Sequence, residues 1–353
     1  MRYKIFGRRT GLRVSELALG AGNFGTGWGH GAEPGEARRM FDRYAEAGGN
    51  FLDTADTYQF GQSETLLGEF IAADRDHFVV ASKYSLGSSL DGGVSRTGNS
   101  RKNMIRSVEE SLRRLKTDRI DLYWVHMPDA VTPVEEIVRG FDDLVRAGKI
   151  LYAGLSDFPA WRVARAATLA DLRGWAPLAG VQFEYSLVER TPDRELLPMT
   201  EALGLGTTLW SPLGGGFLTG KYRRAEEGRL TRLGILVHSE KTARETAILD
   251  AVEAAAAETG ATAAAVAIAW LRHKAAFSST ALIPILGPRS LAQLDDTLAA
   301  LTLTLPDALL RRLDEASAVP LGFPHDFLAS DRNRNRIAGG TAALIDAGRA
   351  PAA

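Results

Sequence analysis

The chain has 353 residues, 45% of them hydrophobic, a formal net charge of −1 and no cysteine. This is enough apolar material for one large core or two ordinary ones, and the near-zero charge argues against binding to nucleic acid or an anionic membrane. The missing cysteines exclude disulfides, thiol catalysis and cysteine-ligated metal sites. Residues 1–8 lack the long apolar stretch of a signal peptide, and no apolar run approaches the roughly 20 residues of a membrane helix, so we expect no signal peptide and a soluble cytoplasmic protein.

The predicted elements alternate between strand and helix. A hairpin covers residues 1–14, and eight further strands are predicted at 16–20, 50–53, 78–83, 120–126, 150–156, 179–183, 206–210 and 281–286. Helical patterns follow at 36–47, 63–73, 101–115, 133–147, 159–172, 191–203, 241–259, 263–274, 290–300 and 306–316. This order predicts an α/β fold, a (β/α)8 TIM barrel, with one or two extra helices within 220–275.

We find no domain linker, so residues 1–330 are predicted to form a single barrel domain. Residues 214–238 are rich in Gly and Arg and indicate a long loop after the seventh barrel strand. The tail at 331–353 has little capacity to form a core, and we expect it to be flexible.

Two glycine motifs resemble nucleotide-binding loops without matching them. Residues 20–25 read G-x-G-x-x-G after a strand, but the next helix begins only near Pro34, too late for a Rossmann unit to hold a pyrophosphate at its N-terminus. Residues 215–221 match the start of a P-loop, but Tyr222 stands where Mg²⁺ coordination needs Ser or Thr. The first motif therefore favours a glycine-rich loop over a barrel mouth. The second argues against a nucleoside triphosphatase and favours binding of another kind of phosphate group.

Polar residues follow three consecutive predicted strands. Asp53 ends one strand and Tyr58 follows it, while Lys83 and His126 end the next two. The carboxyl ends of parallel barrel strands meet at one mouth, so we expect these four side chains to converge. Taken singly, a strand-end lysine is usually solvated and a lone histidine is usually structural. Their shared position favours a catalytic site.

The chemistry of these four residues is coherent. A lysine ammonium held by Asp53 lowers the pKa of a nearby phenol because it stabilises phenolate. Such a phenol can exchange a proton with an alkoxide near neutral pH. A neutral histidine can donate a hydrogen bond to the same carbonyl oxygen and orient it.

With these four residues in these positions, the chain resembles the aldo-keto reductase family, and the resemblance extends from the hairpin to about residue 327. The motifs that carry the resemblance are LDTAD-x-Y-xx-G-x-SE at 52–64, Lys83, DLY-xx-H-x-PD at 121–129, GLS-x-F at 154–158, Q-x-EYSL at 182–187 and WSPLG-x-G-x-LTGK at 210–221. The pattern is most similar to longer members related to aryl-alcohol dehydrogenases and potassium-channel β-subunits.

The resemblance implies an NADP(H)-dependent enzyme with no metal, in which Asp53, Tyr58, Lys83 and His126 form a catalytic tetrad. Ser156 and Gln182 would hold the nicotinamide carboxamide, and Trp210 would stack on the ring. Arg289 would pair with the 2′-phosphate and Gln293 would contact adenine. The remaining implied cofactor contacts are Gly22, Asn23, Ser211, Pro212, Leu213, Gly216, Leu218, Gly220, Lys221 and Gly287.

The chain departs from the family pattern at three places. Asp157 stands where the family often has Asn, and Thr297 replaces a usual Asn beside the adenine. At Ala21 and Gly22, small residues replace larger ones, so only backbone contacts are expected there and the pocket is expected to be wider. The predicted substrate pocket is apolar and partly aromatic, and its members are Phe24, Trp28, Tyr84, Met127 and Phe327.

We therefore expect reduction of aldehydes or ketones to alcohols, and the reverse, with a small carbonyl or alcohol as substrate. Two alternatives stay open. One is a non-catalytic NADP(H)-binding regulatory subunit, and the other is a metal-dependent barrel hydrolase that uses Asp53 and Asp56. The substrate, the favoured direction and the oligomeric state do not follow from the sequence.

Overall fold

A computed structural model describes residues 1–89, 91–224 and 238–345. It contains a two-stranded antiparallel hairpin and a closed barrel of eight parallel strands. The hairpin strands are β1 (Tyr3–Ile5) and β2 (Arg13–Ser15). The barrel strands are β3 (Ala18–Gly20), β4 (Phe51–Asp53), β5 (Val79–Tyr84), β6 (Ile120–Val125), β7 (Ile150–Ser156), β8 (Leu178–Glu184), β9 (Gly206–Trp210) and β10 (Leu282–Leu286). Their order around the barrel is β10-β3-β4-β5-β6-β7-β8-β9. The predicted TIM barrel is confirmed.

The barrel interior is a packed core. Phe6, which follows β1, makes edge-to-face contacts with Phe51 and Trp124 at ring-centroid distances of 5.7 and 6.4 Å. Added Cβ atoms on Gly180 and Gly206 would lie 2.7 Å from the Phe6 ring, so only glycine leaves room for it. The hairpin thus places Phe6 in the barrel core, where its ring lies against Gly180 of β8 and Gly206 of β9.

The α-helices surround the barrel and largely follow the predicted pattern. Their bounds are Pro34–Glu46, Gln62–Phe70, Arg101–Leu115, Val134–Arg146, Ala160–Arg173, Leu196–Leu203, Ala243–Thr259, Ala263–Phe277, Leu291–Leu298, Asp307–Ser317, His325–Ala329 and Asp331–Ile337. Their apolar faces and the outward faces of the strands form the larger core cluster. One or two extra helices are predicted within 220–275; two helices, Ala243–Thr259 and Ala263–Phe277, lie between β9 and β10, where a βα unit has one, so one of them is extra.

One predicted helix, 191–203, is divided. A 3-10 turn at Thr191–Asp193 is followed by the helix Leu196–Leu203, with Glu195 between them at φ −134°. Pro198 lacks an N–H and its ring clashes with a carbonyl four residues earlier, so a helix that contains it begins shortly before it.

Among the described residues, no single helix is long and apolar enough to cross a membrane. The helices Ala243–Thr259 and Ala263–Phe277 together have the length and apolar composition of a membrane span, but they are bent by 98° relative to each other. Val266, Ile268 and Trp270 of the second helix are buried against the barrel core.

The predicted flexible tail begins with the helix Asp331–Ile337, which Ser330 caps by accepting from the backbone N–H of Asn333. None of its side chains is buried. Residues 346–353 of the tail, and residues 225–237 of the predicted loop after β9, lie outside the described residues.

Candidate active site

Strand alternation explains why polar groups meet at one end of the barrel. Side chains two apart share a face, so Lys83 lies on the same face as Ala81 and Val79, which belong to the interior core. By the same alternation Asp53 continues the face of the core residue Phe51. The interior therefore changes from apolar layers to a polar layer at the carboxyl ends of the strands, where barrel enzymes have their active sites.

The structure brings three of the four predicted catalytic residues into direct contact. The Lys83 ammonium donates to Asp53 Oδ1, to the Thr54 carbonyl oxygen at 2.9 Å and to the Tyr58 hydroxyl at 3.3 Å. The side chains of Lys83 and Asp53 are 0% and 3% exposed, so this ion pair is almost completely shielded from water. Burial lowers the pKa of Lys83, but Asp53 and Tyr58 outweigh that effect and the pKa is raised. Lys83 therefore stays charged.

Gln182 joins this cluster from β8. Its side-chain amide donates to Asp53 Oδ2 at 2.9 Å and to Thr208 Oγ1 at 2.9 Å. Asp53 thus has a partner on each carboxylate oxygen. Because the amide nitrogen of Gln182 is used inside the protein, only its oxygen is left to meet a ligand. Thr208 is a positioning residue that the sequence analysis did not single out.

His126 completes the group from the other side. Its ring meets the Tyr58 ring edge-on at a centroid distance of 5.6 Å. Burial, then the Lys83 charge, lowers the pKa of His126 well below its usual value, so the imidazole is neutral. Among the described residues its buried Nδ1 has no hydrogen-bond partner.

The loop after β3 lies beside Tyr58. Trp28 is half-buried and meets the rings of Tyr58 and Phe60 edge-on at 6.0 and 6.5 Å. Gln59 holds this arrangement because its side chain donates to the Gly22 carbonyl at 3.1 Å and accepts from the Trp28 N–H at 2.9 Å. Phe60 is 41% exposed and, like Gln59, was missed by the sequence analysis.

Two predicted pocket residues lie in the core instead. Tyr84 follows the inward-facing Lys83, so strand alternation points it outward; its ring stacks on Tyr123 and its hydroxyl donates to the Asn99 carbonyl. Phe24 is fully buried and packs edge-on against Phe70 at 6.2 Å. Neither lines an open pocket.

The other two predicted pocket residues are exposed. Met127 is 45% exposed at the exit of β6. Phe327 is 57% exposed, and its ring contacts Phe323 at a centroid distance of 5.9 Å. The segment that carries Phe327 is linked to the loop after β8 by a hydrogen bond between His325 Nε2 and Glu195 Oε1 at 2.8 Å.

The residues predicted to hold a nicotinamide lie at or near the carboxyl ends of three adjacent strands. Ser156 pairs in register with Gln182 across β7 and β8, and Trp210 ends β9 beside them. Ser156 and Gln182 are almost fully buried, whereas Trp210 is half-buried. Its indole Nε1 donates to Asp157 Oδ1 at 2.9 Å, a contact that the sequence analysis did not anticipate.

The predicted phosphate loop follows β9 directly. Ser211 has a left-handed backbone, and its hydroxyl accepts from the Gly215 N–H at 2.7 Å. A 3-10 segment covers Gly214–Thr219, and within it Gly216 adopts φ +91°. Lys221 lies over the Tyr222 ring at 5.0 Å. Of the other predicted members, Pro212, Leu218 and Gly220 are buried and Leu213 is half-buried.

The residues predicted to contact the adenosine end lie where the loops after β3 and β10 meet. The Asn23 side chain donates to the carbonyls of Gly287 and Pro288 at 3.0 and 3.2 Å. Gln293 accepts from the Arg289 N–H at 2.9 Å, so its oxygen is engaged at the start of the helix Leu291–Leu298. Thr297 is buried, and its hydroxyl donates to backbone carbonyls of its own helix.

Asp56 belongs to the same motif as Asp53 but is oriented differently. Burial, then the nearby Glu64 carboxylate, raises the pKa of Asp56 to about 8. Its Oδ1 is buried without a hydrogen-bond partner among the described residues. Within those residues, no group of three or more His, Asp or Glu side chains is arranged to hold a metal ion.

Comparison with known proteins is consistent with this geometry. The sequence model of the aldo/keto reductase family matches residues 16–318. The chain is 37% identical over 335 residues to a norsolorinic acid reductase of Aspergillus flavus, covering 92% of this chain and 84% of the relative. It is 36% identical over 346 residues to an aryl-alcohol dehydrogenase (NADP+) of Phanerodontia chrysosporium, covering 92% and 88%. An uncharacterized oxidoreductase of Bacillus subtilis is 36% identical over 332 residues, covering 91% and 98%.

Proposed function

The chain belongs to the aldo/keto reductase family, and from this premise we propose that it interconverts aldehydes or ketones and alcohols with NADP(H), using Tyr58 as general acid and base. The observation that carries the proposal is the buried Lys83 ammonium, which contacts both Asp53 and the Tyr58 hydroxyl. The alternative of a metal-dependent hydrolase is less well supported than this reaction, because both carboxylate oxygens of Asp53 already accept hydrogen bonds within the protein.

The proton chemistry follows from the arrangement of the charges. Asp53 keeps Lys83 protonated, and Lys83 donates toward the Tyr58 oxygen, so negative charge that develops there is stabilised. Tyr58 can then give a proton to the carbonyl oxygen during reduction and take it back during oxidation. The neutral imidazole of His126 lies beside Tyr58 and can donate a hydrogen bond that orients the same oxygen.

The donor set at the mouth suits a nicotinamide dinucleotide phosphate. Trp210 offers an aromatic face, and Gln182 retains a side-chain oxygen that can accept from a carboxamide. Lys221 and Arg289 supply cations for phosphate groups, and Gly287 has open space where a side chain would be. When bound, the cofactor donates or accepts the hydride.

The substrate class is proposed from the side chains around Tyr58. The Trp28 ring packs edge-on with the Tyr58 ring, Phe60 packs edge-on with Trp28, and Met127 is exposed at the neighbouring strand exit. An apolar, partly aromatic wall favours aryl or alicyclic carbonyl compounds. The names of the two characterised relatives, an aryl-alcohol dehydrogenase and a norsolorinic acid reductase, support this choice.

We expect Arg289→Ala to raise the KM for NADPH by about tenfold or more and to leave the KM for NADH nearly unchanged. A guanidinium–phosphate contact is a charge-assisted bond worth about 1.5–3 kcal/mol, and only NADPH carries the 2′-phosphate. Steady-state kinetics with both cofactors measure the two ratios.

Lys221→Ala is the matched control for this variant. The proposed Lys221 contact is to the pyrophosphate, which both cofactors contain, so this variant should weaken both by a similar factor. Equal effects of Arg289→Ala on NADPH and NADH would contradict the role of Arg289 at the 2′-phosphate.

The function itself is tested by following NADPH oxidation with aromatic aldehydes, quinones, sugars and alicyclic ketones. Turnover of an aromatic or alicyclic carbonyl supports the proposal. Tight NADPH binding without turnover of any compound would instead favour a non-catalytic regulatory subunit.

A further inference from the structure

Asp157 has an unusual backbone position directly after the proposed nicotinamide contact Ser156. Its φ is 58°, a left-handed conformation that few residues other than glycine adopt, although Asp and Asn tolerate it best. Its N–H donates to the Gln182 carbonyl at 2.9 Å, which fixes the turn at the end of β7. This turn lets the Asp157 side chain reach past β8 to the end of β9.

The Asp157 carboxylate connects two residues of the proposed nicotinamide site. Oδ1 accepts from Trp210 Nε1 at 2.9 Å, and Oδ2 lies 3.4 Å from the Ser156 hydroxyl. The first contact fixes the orientation of the indole. Both partners are neutral, so neither cancels the charge of the carboxylate.

The surrounding charges leave Asp157 as an unmatched negative group. Burial raises the pKa of Asp157 to about 6; Glu184 acts in the same direction, and the hydrogen bonds to Trp210 and Ser156 and the Lys83 charge act against it. Lys83 is paired with Asp53, and Glu184 contacts His238 at 2.8 Å. Above about pH 6 the carboxylate is therefore ionised, and Lys83, the cation that acts on it, is already engaged by Asp53.

We propose that Asp157 makes the cofactor site bind the oxidised dinucleotide in preference to the reduced one. This inference rests on the proposed function. The oxidised nicotinamide ring carries a positive charge and the reduced ring is neutral, so a carboxylate that anchors the stacking residue Trp210 stabilises the oxidised form selectively. An asparagine, which the family often has here, would keep the acceptor for Trp210 without the charge.

The test is the ratio of the dissociation constants for NADP+ and NADPH in wild-type protein and in Asp157→Asn. At pH 8 we expect Asp157→Asn to raise the ratio of the NADP+ constant to the NADPH constant about tenfold. At pH 5 the change should be much smaller, because wild-type Asp157 is then mostly protonated. Tryptophan fluorescence or calorimetric titration reports both constants without turnover.

Asp157→Ala is the matched control. It removes the bond to Trp210 as well as the charge, so it should weaken the binding of both dinucleotides, and the Asn variant should restore the binding of NADPH. An unchanged ratio in Asp157→Asn at pH 8, with both dinucleotides still bound, would overturn the inference and leave the proposed function standing. Wild-type protein that binds neither dinucleotide would overturn both.

Discussion

Tyr58→Phe should lower turnover by at least about 10²–10⁴-fold while the dissociation constant for NADPH changes little. The substitution removes the hydroxyl that contacts Lys83 but keeps the ring that meets Trp28 and His126 edge-on. A positioned proton donor contributes about that factor to the rate. Steady-state kinetics and NADPH titration of the same preparation measure the two effects.

Tyr84→Phe is a suitable control for the loss of a tyrosine hydroxyl near the mouth. The Tyr84 hydroxyl donates to Asn99 on the outer side of β5, away from the Lys83 ammonium. This variant should therefore keep its activity. Full turnover by Tyr58→Phe would refute the assignment of Tyr58 as general acid and base.

Lys83→Met should both destabilise the protein and inactivate it. The substitution leaves the Asp53 carboxylate buried without its cation, and breaking a buried ion pair in this way costs about 3–5 kcal/mol. Turnover should fall as well, because nothing then stabilises developing charge on Tyr58. Denaturant unfolding gives the free-energy change, and the kinetic assay gives the activity.

The double variant Asp53→Asn with Lys83→Met separates the two effects. Removing both charges replaces the ion pair by neutral groups, so much of the lost stability should return. Activity should stay lost because the ammonium beside Tyr58 is still missing. A double variant as unstable as Lys83→Met would contradict the view that an uncompensated Asp53 charge causes the destabilisation.

Much of the fold could be predicted because the strands and helices are indicated by the local spacing of apolar residues and by the turn residues between them. The strand Gly206–Trp210 and the helix Arg101–Leu115 match the predicted bounds. The start of the helix Ala243–Thr259 is set by Thr242 and Glu245, a capping box that was not used in the prediction. The placement of Phe6 in the core could not be predicted, because it depends on how the closed barrel packs.

The convergence of Asp53, Tyr58, Lys83 and His126 could be predicted because barrel topology brings the ends of consecutive strands together. The contact between Gln182 and Asp53 could not, because it joins residues 129 positions apart across the closed barrel. The bond from Trp210 to Asp157 depends on a left-handed backbone that no local pattern indicates. The error at Tyr84 was avoidable, since alternation after the inward-facing Lys83 already points it outward.

The most direct test of the proposed reaction is transfer of a label from the cofactor to the product. Wild-type protein is given NADPH that carries deuterium at nicotinamide C4, with an aromatic aldehyde, and the alcohol is examined by mass spectrometry. Direct hydride transfer, with proton donation by Tyr58, predicts one deuterium on the carbinol carbon of the alcohol. The deuterium should be transferred from one face of the nicotinamide ring. An alcohol without deuterium from either C4 epimer, or no NADPH-dependent alcohol at all, would contradict it.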